Sequence, residues 1–244
     1  MMLEELKRVW YEKVVKHGLA DERVIIHTRP LKPEEVIGKP IRAGFPLLRG
    51  KEVMIQADLR GGLGQAFTDE PSEFAGPASE LQGLPLDTNA STALLVAAIN
   101  ATYAFLGLID GTRHCRDSGP EDCATRIAKY LAGRHDLDTK VLMIGFQPAI
   151  AHRLAKRFRL FRVTDMDSET IGKLIVRGSV ESYDRNLEAL EWSDIVIATG
   201  SALVNGSIDE IACRAGGKSL YFYGVTIAAA AYELGLNRLC YEGK

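Results

Sequence analysis

The chain has 244 residues, of which 46% are hydrophobic and 25% are charged, a composition that fits a globular protein with a substantial core. Its 30 basic and 32 acidic residues give a net charge of −2 at pH 7, which argues against nucleic acid as a main partner. The four cysteines form no CxxC pair and the first residues carry no signal-peptide pattern, so we expect a cytoplasmic protein.

The first part of the chain predicts a small α+β domain over residues 1–112. Apolar residues at helical spacing predict a helix over residues 4–17, with Gly18 at its carboxyl end. Short apolar runs predict strands at residues 24–26, 43–46 and 53–59. A glycine-rich bend at residues 61–69 then begins an irregular loop that we expect to reach residue 86.

Residues 88–108 carry no charge and are long enough to cross a bilayer. They are rich in alanine, however, and contain polar residues such as Asn89 and Asn100. This composition favours a helix buried between protein layers, and we expect no membrane partner.

The second part, residues 113–244, predicts a Rossmann-like domain. A polar segment at residues 110–122 joins it to the first domain. Apolar strands alternate with amphipathic helices, as in a mostly parallel sheet with helices on both faces. The expected strands are residues 140–145, 161–164, 195–198, 219–223 and 238–241. The expected helices are residues 120–132, 149–158, 184–190, 208–215 and 227–234. The fold class is therefore α/β.

Polar and glycine-bearing loops follow four of these strands. Because the carboxyl ends of parallel strands meet at one edge, we expect these loops to line a common crevice that binds a small ligand. The candidate residues are Gly145, Pro148, Asp165, Thr199, Gly200 and Thr226. Asp165 lies twenty residues after Gly145, where nucleotide-binding folds hold a ribose, but the GxGxxG fingerprint of a standard dinucleotide site is absent.

A second loop feature is the turn pair Asn205 and Gly206, which we also place in the ligand site. Ser207 and Glu210 follow with the spacing of a capping box, which predicts the start of a helix.

The first domain contributes the opposite wall of the predicted cleft. Gln65 and Asp69 follow the glycine-rich bend, and Asn100 lies within the buried helix, where its amide needs partners. Together with Asp165 and Asn205, these residues offer oxygen ligands for a divalent cation or hydrogen bonds for a polar ligand. We assign Asp69 and Asp165 as the metal ligands.

His114, Cys115 and Cys123 lie close together in the interdomain joint. Sulfur and imidazole ligands bind transition metals, although this spacing does not match a zinc knuckle. The sequence leaves open whether these residues bind a metal or share a loop without a common role.

Residues 197–207, Ile-Ala-Thr-Gly-Ser-Ala-Leu-Val-Asn-Gly-Ser, resemble a signature of an uncharacterised prokaryotic family described as heavy-metal chelatases. Residues 64–69, 98–101 and 145–148 are similar to its other signatures. The resemblance implies an enolase-N-terminal-like domain, a Rossmann-like domain and a site between them. The chain departs from the family at residues 224–226, Gly-Val-Thr, where the family has Gly-Pro-Ser.

Three functions remain open at this point. The leading hypothesis is that an interdomain cleft binds a metal ion or a metal-bearing small molecule, with heavy-metal chelation as the role that the resemblance implies. The alternatives are an enzyme with a nucleotide-like cofactor of the S-adenosylmethionine type, and a non-catalytic partner-binding protein. The sequence allows a homo-oligomer, and it contains no residue set that points to nucleophilic catalysis.

Overall fold

Two sheets of opposite type organise the chain in the computed structural model, which describes residues 1–27, 31–42, 44–45, 48 and 53–244. The first sheet is antiparallel, with the strand order β3-β2-β1-β4. Its strands are β1 (Arg23–Ile26), β2 (Val53–Leu59), β3 (Gly62–Thr68) and β4 (Phe74–Pro77). The helices of this part are α1 (Met2–Lys16), α2 (Pro33–Val36), α3 (Ala78–Gln82) and α4 (Asn89–Phe105).

Strand β3 occupies most of the segment for which the sequence predicts a glycine-rich bend, so that prediction is wrong. The chain turns at Arg60 and Gly61, both in the left-handed region, and β3 then pairs with β2 along its whole length. A Cβ atom at Gly64 would lie 2.1 Å from the backbone nitrogen of Ala101 in α4. Gly64 is therefore needed for the close approach of helix α4, and it does not mark a loop.

Helix α4 forms the centre of the N-terminal part, as the sequence predicts. Thr88 begins it by accepting a hydrogen bond from the Ser91 amide at 3.2 Å, and twelve of its seventeen residues are buried. Among the described residues, no helix has the length and apolar character that a membrane crossing requires.

The second sheet is parallel, with the strand order β7-β6-β5-β8-β9. Its strands are β5 (Lys140–Ile144), β6 (Leu160–Asp165), β7 (Glu181–Ser182), β8 (Ile195–Thr199) and β9 (Ser219–Tyr223). The helices are α5 (Gly119–Ala132), α6 (Pro148–Arg157), α7 (Asn186–Trp192), α8 (Ile208–Arg214) and α9 (Ala228–Glu233).

Alternate residues of β5 enter two separate hydrophobic clusters. Val141 and Met143 pack with α5 and α6, whereas Leu142 and Ile144 pack with α7, α8 and α9. Helices therefore cover both faces of the parallel sheet, and the predicted α/β fold class is confirmed.

Two predicted strands differ from the structure, and strand β7 of the parallel sheet has no counterpart among the predictions. The expected strand at residues 238–241 is reduced to one bridge between Phe222 and Arg238, where Phe222 makes two backbone hydrogen bonds, with Asn237 and Leu239. The short strand β7 has two residues, too few to give a periodic signal. Of the expected strand at residues 43–46, Gly44 and Phe45 are not in a strand, and Ala43 and Pro46 lie outside the described residues.

The amide of Asn100 joins the two parts of the chain. Its Nδ2 donates to the carbonyl oxygens of Gln65, Thr226 and Val225 at 3.0, 3.1 and 3.3 Å. Its Oδ1 accepts from the Ala229 amide at 2.9 Å. Asn100 thus ties α4 to strand β3 and to the loop after β9. The division of the chain at residues 112 and 113 remains a prediction.

Candidate functional site

A cavity of about 140 Å³ lies at the carboxyl edge of the parallel sheet. The ends of β5, β6, β8 and β9 line it, and Phe45 and Phe67 contribute to its wall from the N-terminal part. One bound water needs only about 10–15 Å³ of such space, so the cavity has room for a small organic molecule.

The cavity gathers about half of the residues that the sequence predicts for the ligand site. The lining includes Gly145, Asp165, Thr199, Gly200, Asn205 and Thr226. The remaining candidates are not part of it: Gln65, Asp69, Asn100, Pro148 and Gly206.

The carboxylate of Asp165 accepts hydrogen bonds from the loop after β5 and from the loop after β6. Its Oδ2 accepts a short hydrogen bond from the Phe146 amide, and its Oδ1 accepts from the Asp167 amide at 2.7 Å. Each carboxylate oxygen keeps a second lone pair, so a ribose hydroxyl or a cation would share these oxygen atoms with the backbone donors. The carboxylate therefore holds both loops in the cavity wall.

Gly145 has a φ of +86° and lies in close contact with its neighbours in the sheet. A Cβ atom there would be 2.8 Å from Thr199 Cγ2 and 3.0 Å from Tyr223 Oη. The Tyr223 hydroxyl donates to the Gly145 carbonyl oxygen at 2.9 Å. Gly145 is thus required for the close packing of the ends of β5, β8 and β9.

Asn205 organises the loop between β8 and α8. Its Oδ1 accepts from the Ser207 amide at 3.1 Å and from the Ser207 hydroxyl at 2.7 Å. The capping box predicted from Ser207 and Glu210 does not form: Ser207 has helical dihedral angles, with φ −78° and ψ −7°, and its side chain makes no capping hydrogen bond. Among the described residues, Asn205 Nδ2 contacts only the Met166 thioether, at 3.7 Å. Its N–H groups therefore remain strong donors for a ligand.

The two remaining polar candidates of the N-terminal part serve protein groups. Asp69 accepts from Asn89 Nδ2 at 2.8 Å, at the start of α4. Gln65 donates to Gln56 at 2.9 Å and accepts from the His114 amide at 2.6 Å. In the part of the chain that the structure describes, no three His, Cys, Asp or Glu residues form a metal-binding group. A metal site made from Asp69 and Asp165 therefore gains no support from the arrangement.

Three of the four cysteines line the cavity, and the sequence did not predict that Cys240 would join Cys115 and Cys123. The Cys123 thiol donates a hydrogen bond to the Cys240 sulfur, and with the Arg238 guanidinium this lowers the pKa of Cys240 to about 6 against the effect of burial. The same hydrogen bond raises the pKa of Cys123. Burial raises the pKa of Cys115 to about 12. Cys240 is thus the most readily ionised of the three thiols.

His114 lies beside these thiols and is neutral at physiological pH, because burial lowers its pKa to about 4. Its Nδ1 lies 2.6 Å from the Cys115 carbonyl oxygen, and a carbonyl can only accept, so Nδ1 carries the proton. The Nε2 atom is then the unprotonated ring nitrogen.

The low pKa of His114 makes stability dependent on pH. In the unfolded chain, His114 binds a proton near pH 6.5, whereas in the folded chain it does so only near pH 4. Acid therefore favours unfolding. We expect the wild type to lose about 2 kcal/mol from this group between pH 7 and pH 5. Urea unfolding of His114→Gln at the two pH values should show a loss smaller by that amount. His17→Gln, at an exposed site, should behave as wild type; an undiminished loss in His114→Gln would contradict the assignment.

Comparison with known proteins relates this site to one family. The model of the DUF364 family, described as "Putative heavy-metal chelation", matches residues 133–238. A search of curated proteins found no match. The matched range includes all five parallel strands and the Asn205 loop, and excludes the three cysteines of the cavity.

Two solved structures of unknown function from the DUF364 family are similar. The first, from Pyrococcus horikoshii, has 17% identity and a TM-score of 0.53, and covers 93% of this chain and 80% of its own. The second, from Desulfitobacterium hafniense DCB-2, has 16% identity and a TM-score of 0.52, and covers 75% and 73%. At these identities the likeness shows the fold alone. The resemblance expected from the sequence is confirmed: the DUF364 model matches residues 133–238, and the fold is similar to that of solved DUF364 proteins.

Proposed function

We propose that the cavity binds a small molecule that carries a metal ion. The supporting observation is the size and position of the cavity: it lies where open α/β sheets bind ligands, and its 140 Å³ is far more than one ion fills. The family description of heavy-metal chelation agrees with a metal-bearing ligand.

The lining offers separate contacts for an organic ligand. The aromatic rings of Phe67 and Phe146 and the side chain of Ile150 provide apolar surface. Asn205 provides N–H donors, and Ser201 adds a hydroxyl at the end of β8. Apolar walls with a few oriented polar groups are typical of small-molecule sites.

The rival proposal, a nucleotide-like cofactor, has less support from the same residues. The Asp165 carboxylate already accepts from two backbone amides, and the loop after β5 lacks the GxGxxG glycines of a dinucleotide site. Nucleotides and S-adenosylmethionine nevertheless belong in any ligand panel, since binding by them would replace our proposal with this one.

The proposal can be tested by thermal unfolding and calorimetric titration. The probes are Zn²⁺, Ni²⁺ and Cd²⁺, each alone and as complexes with cysteine, histidine or citrate. A complex that binds should stabilise the native state by about 2.7 kcal/mol at one hundred times its Kd, which raises Tm by about 5–10 °C. We expect at least one complex to stabilise the protein more than its free ion does.

Substitution at the cavity makes the test specific. Asn205→Ala removes the donors and should weaken binding of that complex by about fivefold to tenfold, the effect of one hydrogen bond. Asn89→Ala removes a partly buried asparagine outside the cavity and should leave the Kd unchanged. The proposal fails if no complex stabilises the protein, or if Asn205→Ala binds as tightly as wild type.

A further inference from the structure

Cys123 and Cys240 come from distant parts of the chain and meet at the cavity wall. Helix α5 carries Cys123, and the segment after β9 carries Cys240. Both cysteines line the cavity, and the Cys123 sulfur accepts a hydrogen bond from the amide of Tyr241, the residue next to Cys240, at 3.4 Å. The two thiols are therefore neighbours in the cavity wall.

The C-terminal segment is fixed in a way that holds this pair in place. Arg238 Nε donates to the Gly224 carbonyl oxygen at 2.9 Å, just before Cys240. After it, Arg126 of α5 forms an ion pair with Glu242 at 2.8 Å and lies 4.5 Å from the centre of the Tyr241 ring. Anchors on both sides reduce the entropy lost when the two sulfur atoms bind one ion.

The chain end adds a further restraint. The backbone of Lys244 pairs with that of Arg113 through two hydrogen bonds, of 2.8 and 2.9 Å. This pair lies next to His114 and Cys115, which line the same cavity. The sulfur-bearing wall is thus built from two chain segments that are hydrogen-bonded to each other.

The donor set selects among metal ions. Thiolates are soft ligands and disfavour Mg²⁺ and Ca²⁺, which bind oxygen. A structural zinc site needs four ligands, and the described residues contain no metal-binding group of three or more. Two sulfur atoms alone complete the coordination of ions that prefer a linear pair of thiolates, such as Hg²⁺ and Cu⁺.

We propose that Cys123 and Cys240 form a two-thiol site that binds a thiophilic ion of low coordination number inside the cavity. The inference rests on the proposed function and names the metal-contacting residues of the same site. Binding of Hg²⁺ forms two S–Hg bonds to deprotonated sulfur atoms, and any proton that the pair still holds is released to water. The oxidation states of sulfur and mercury do not change.

Reduced protein with one equivalent of Hg²⁺ provides the direct test, in the presence of excess glutathione as a competing monothiol. Native mass spectrometry should find one mercury per chain in the wild type. Cys213→Ser is the matched control, because Cys213 is exposed on α8 and does not line the cavity; it should also retain one. Cys123→Ser and Cys240→Ser should each bind at least about tenfold more weakly, because one sulfur ligand is lost.

A second measurement uses the wild type alone, so it does not depend on the folding of the variants. Bound Hg²⁺ should protect Cys123 and Cys240 from alkylation by iodoacetamide, while Cys213 continues to react. Wild type that retains no mercury, or single variants that retain it fully, would overturn the inference. If the two-thiol site fails but a metal complex still stabilises the protein in an Asn205-dependent way, the proposed function stands with other metal contacts.

Discussion

Replacement of Gly64 by alanine is expected to destabilise the protein by about 3 kcal/mol. The new Cβ would lie 2.1 Å from the backbone nitrogen of Ala101 and 2.4 Å from the carbonyl oxygen of Ala97. Both atoms belong to the backbone of α4, so no side-chain rotation relieves the contact. Helix α4 would have to move away from β3, and the packing between them would be lost. Urea unfolding followed by circular dichroism measures the change.

Gly133→Ala is the matched control. Gly133 ends α5 with a φ of −81°, and the nearest atom to its Cβ would be 3.6 Å away. Alanine fits there, and it should leave stability unchanged within about 0.5 kcal/mol or raise it slightly. Equal stability of the two variants would show that β3 and α4 are not in the close contact described above.

Asn100→Asp is expected to cost about 4 kcal/mol at neutral pH. Asn100 is 1% exposed, and its Nδ2 donates to three carbonyl oxygens. An aspartate would place a buried negative oxygen against those three carbonyls and remove the donor that Nδ2 supplies to them. Urea unfolding at pH 7 should show the loss, and it should be smaller at acid pH, because a protonated carboxyl can donate one hydrogen bond.

The control for this variant is Asn237→Asp, since Asn237 is exposed and donates to a single carbonyl oxygen, that of Leu220 at 3.2 Å. We expect a cost below about 1 kcal/mol there. If Asn100→Asp is no worse than Asn237→Asp, the amide of Asn100 does not hold the two parts together.

The parallel sheet and the cavity edge follow from local sequence patterns. Strands β5, β6, β8 and β9 alternate with helices, and the handedness of such units places their carboxyl ends together. This alternation alone predicts that four residues lie near one another at this edge: Gly145, Asp165, Thr199 and Asn205. Each appears in the cavity lining.

Strand β3 was missed because its glycines suggest a turn when only neighbouring residues are considered. Gly62 and Gly64 are required by helix α4, which follows more than twenty residues later, and no local pattern reveals that contact. The buried amide of Asn100 raised a similar difficulty. The sequence shows that it needs partners, but not that backbone groups from β3 and the loop after β9 supply them.

The thiol pair depends on the path of the C-terminal segment. Cys123 and Cys240 share no motif, and their meeting requires the chain to return past β9 to α5. In the sequence, nothing distinguishes Arg126 and Arg238 from ordinary surface arginines. Only their three-dimensional contacts show that they hold this segment in place.

The hydrogen bonds of Asn100 lie within a hydrophobic cluster that both sheets share. Trp10 of α1 and Ile99 of α4 belong to the same cluster as Phe222 of β9 and Ala229 of α9. A fragment cut at residue 112 would expose the apolar side chains of this shared surface to water, and the amide of Asn100 would keep only its bond to Gln65. We therefore expect the two sheets to unfold together, as one cooperative unit, whether or not a domain boundary lies at residue 112.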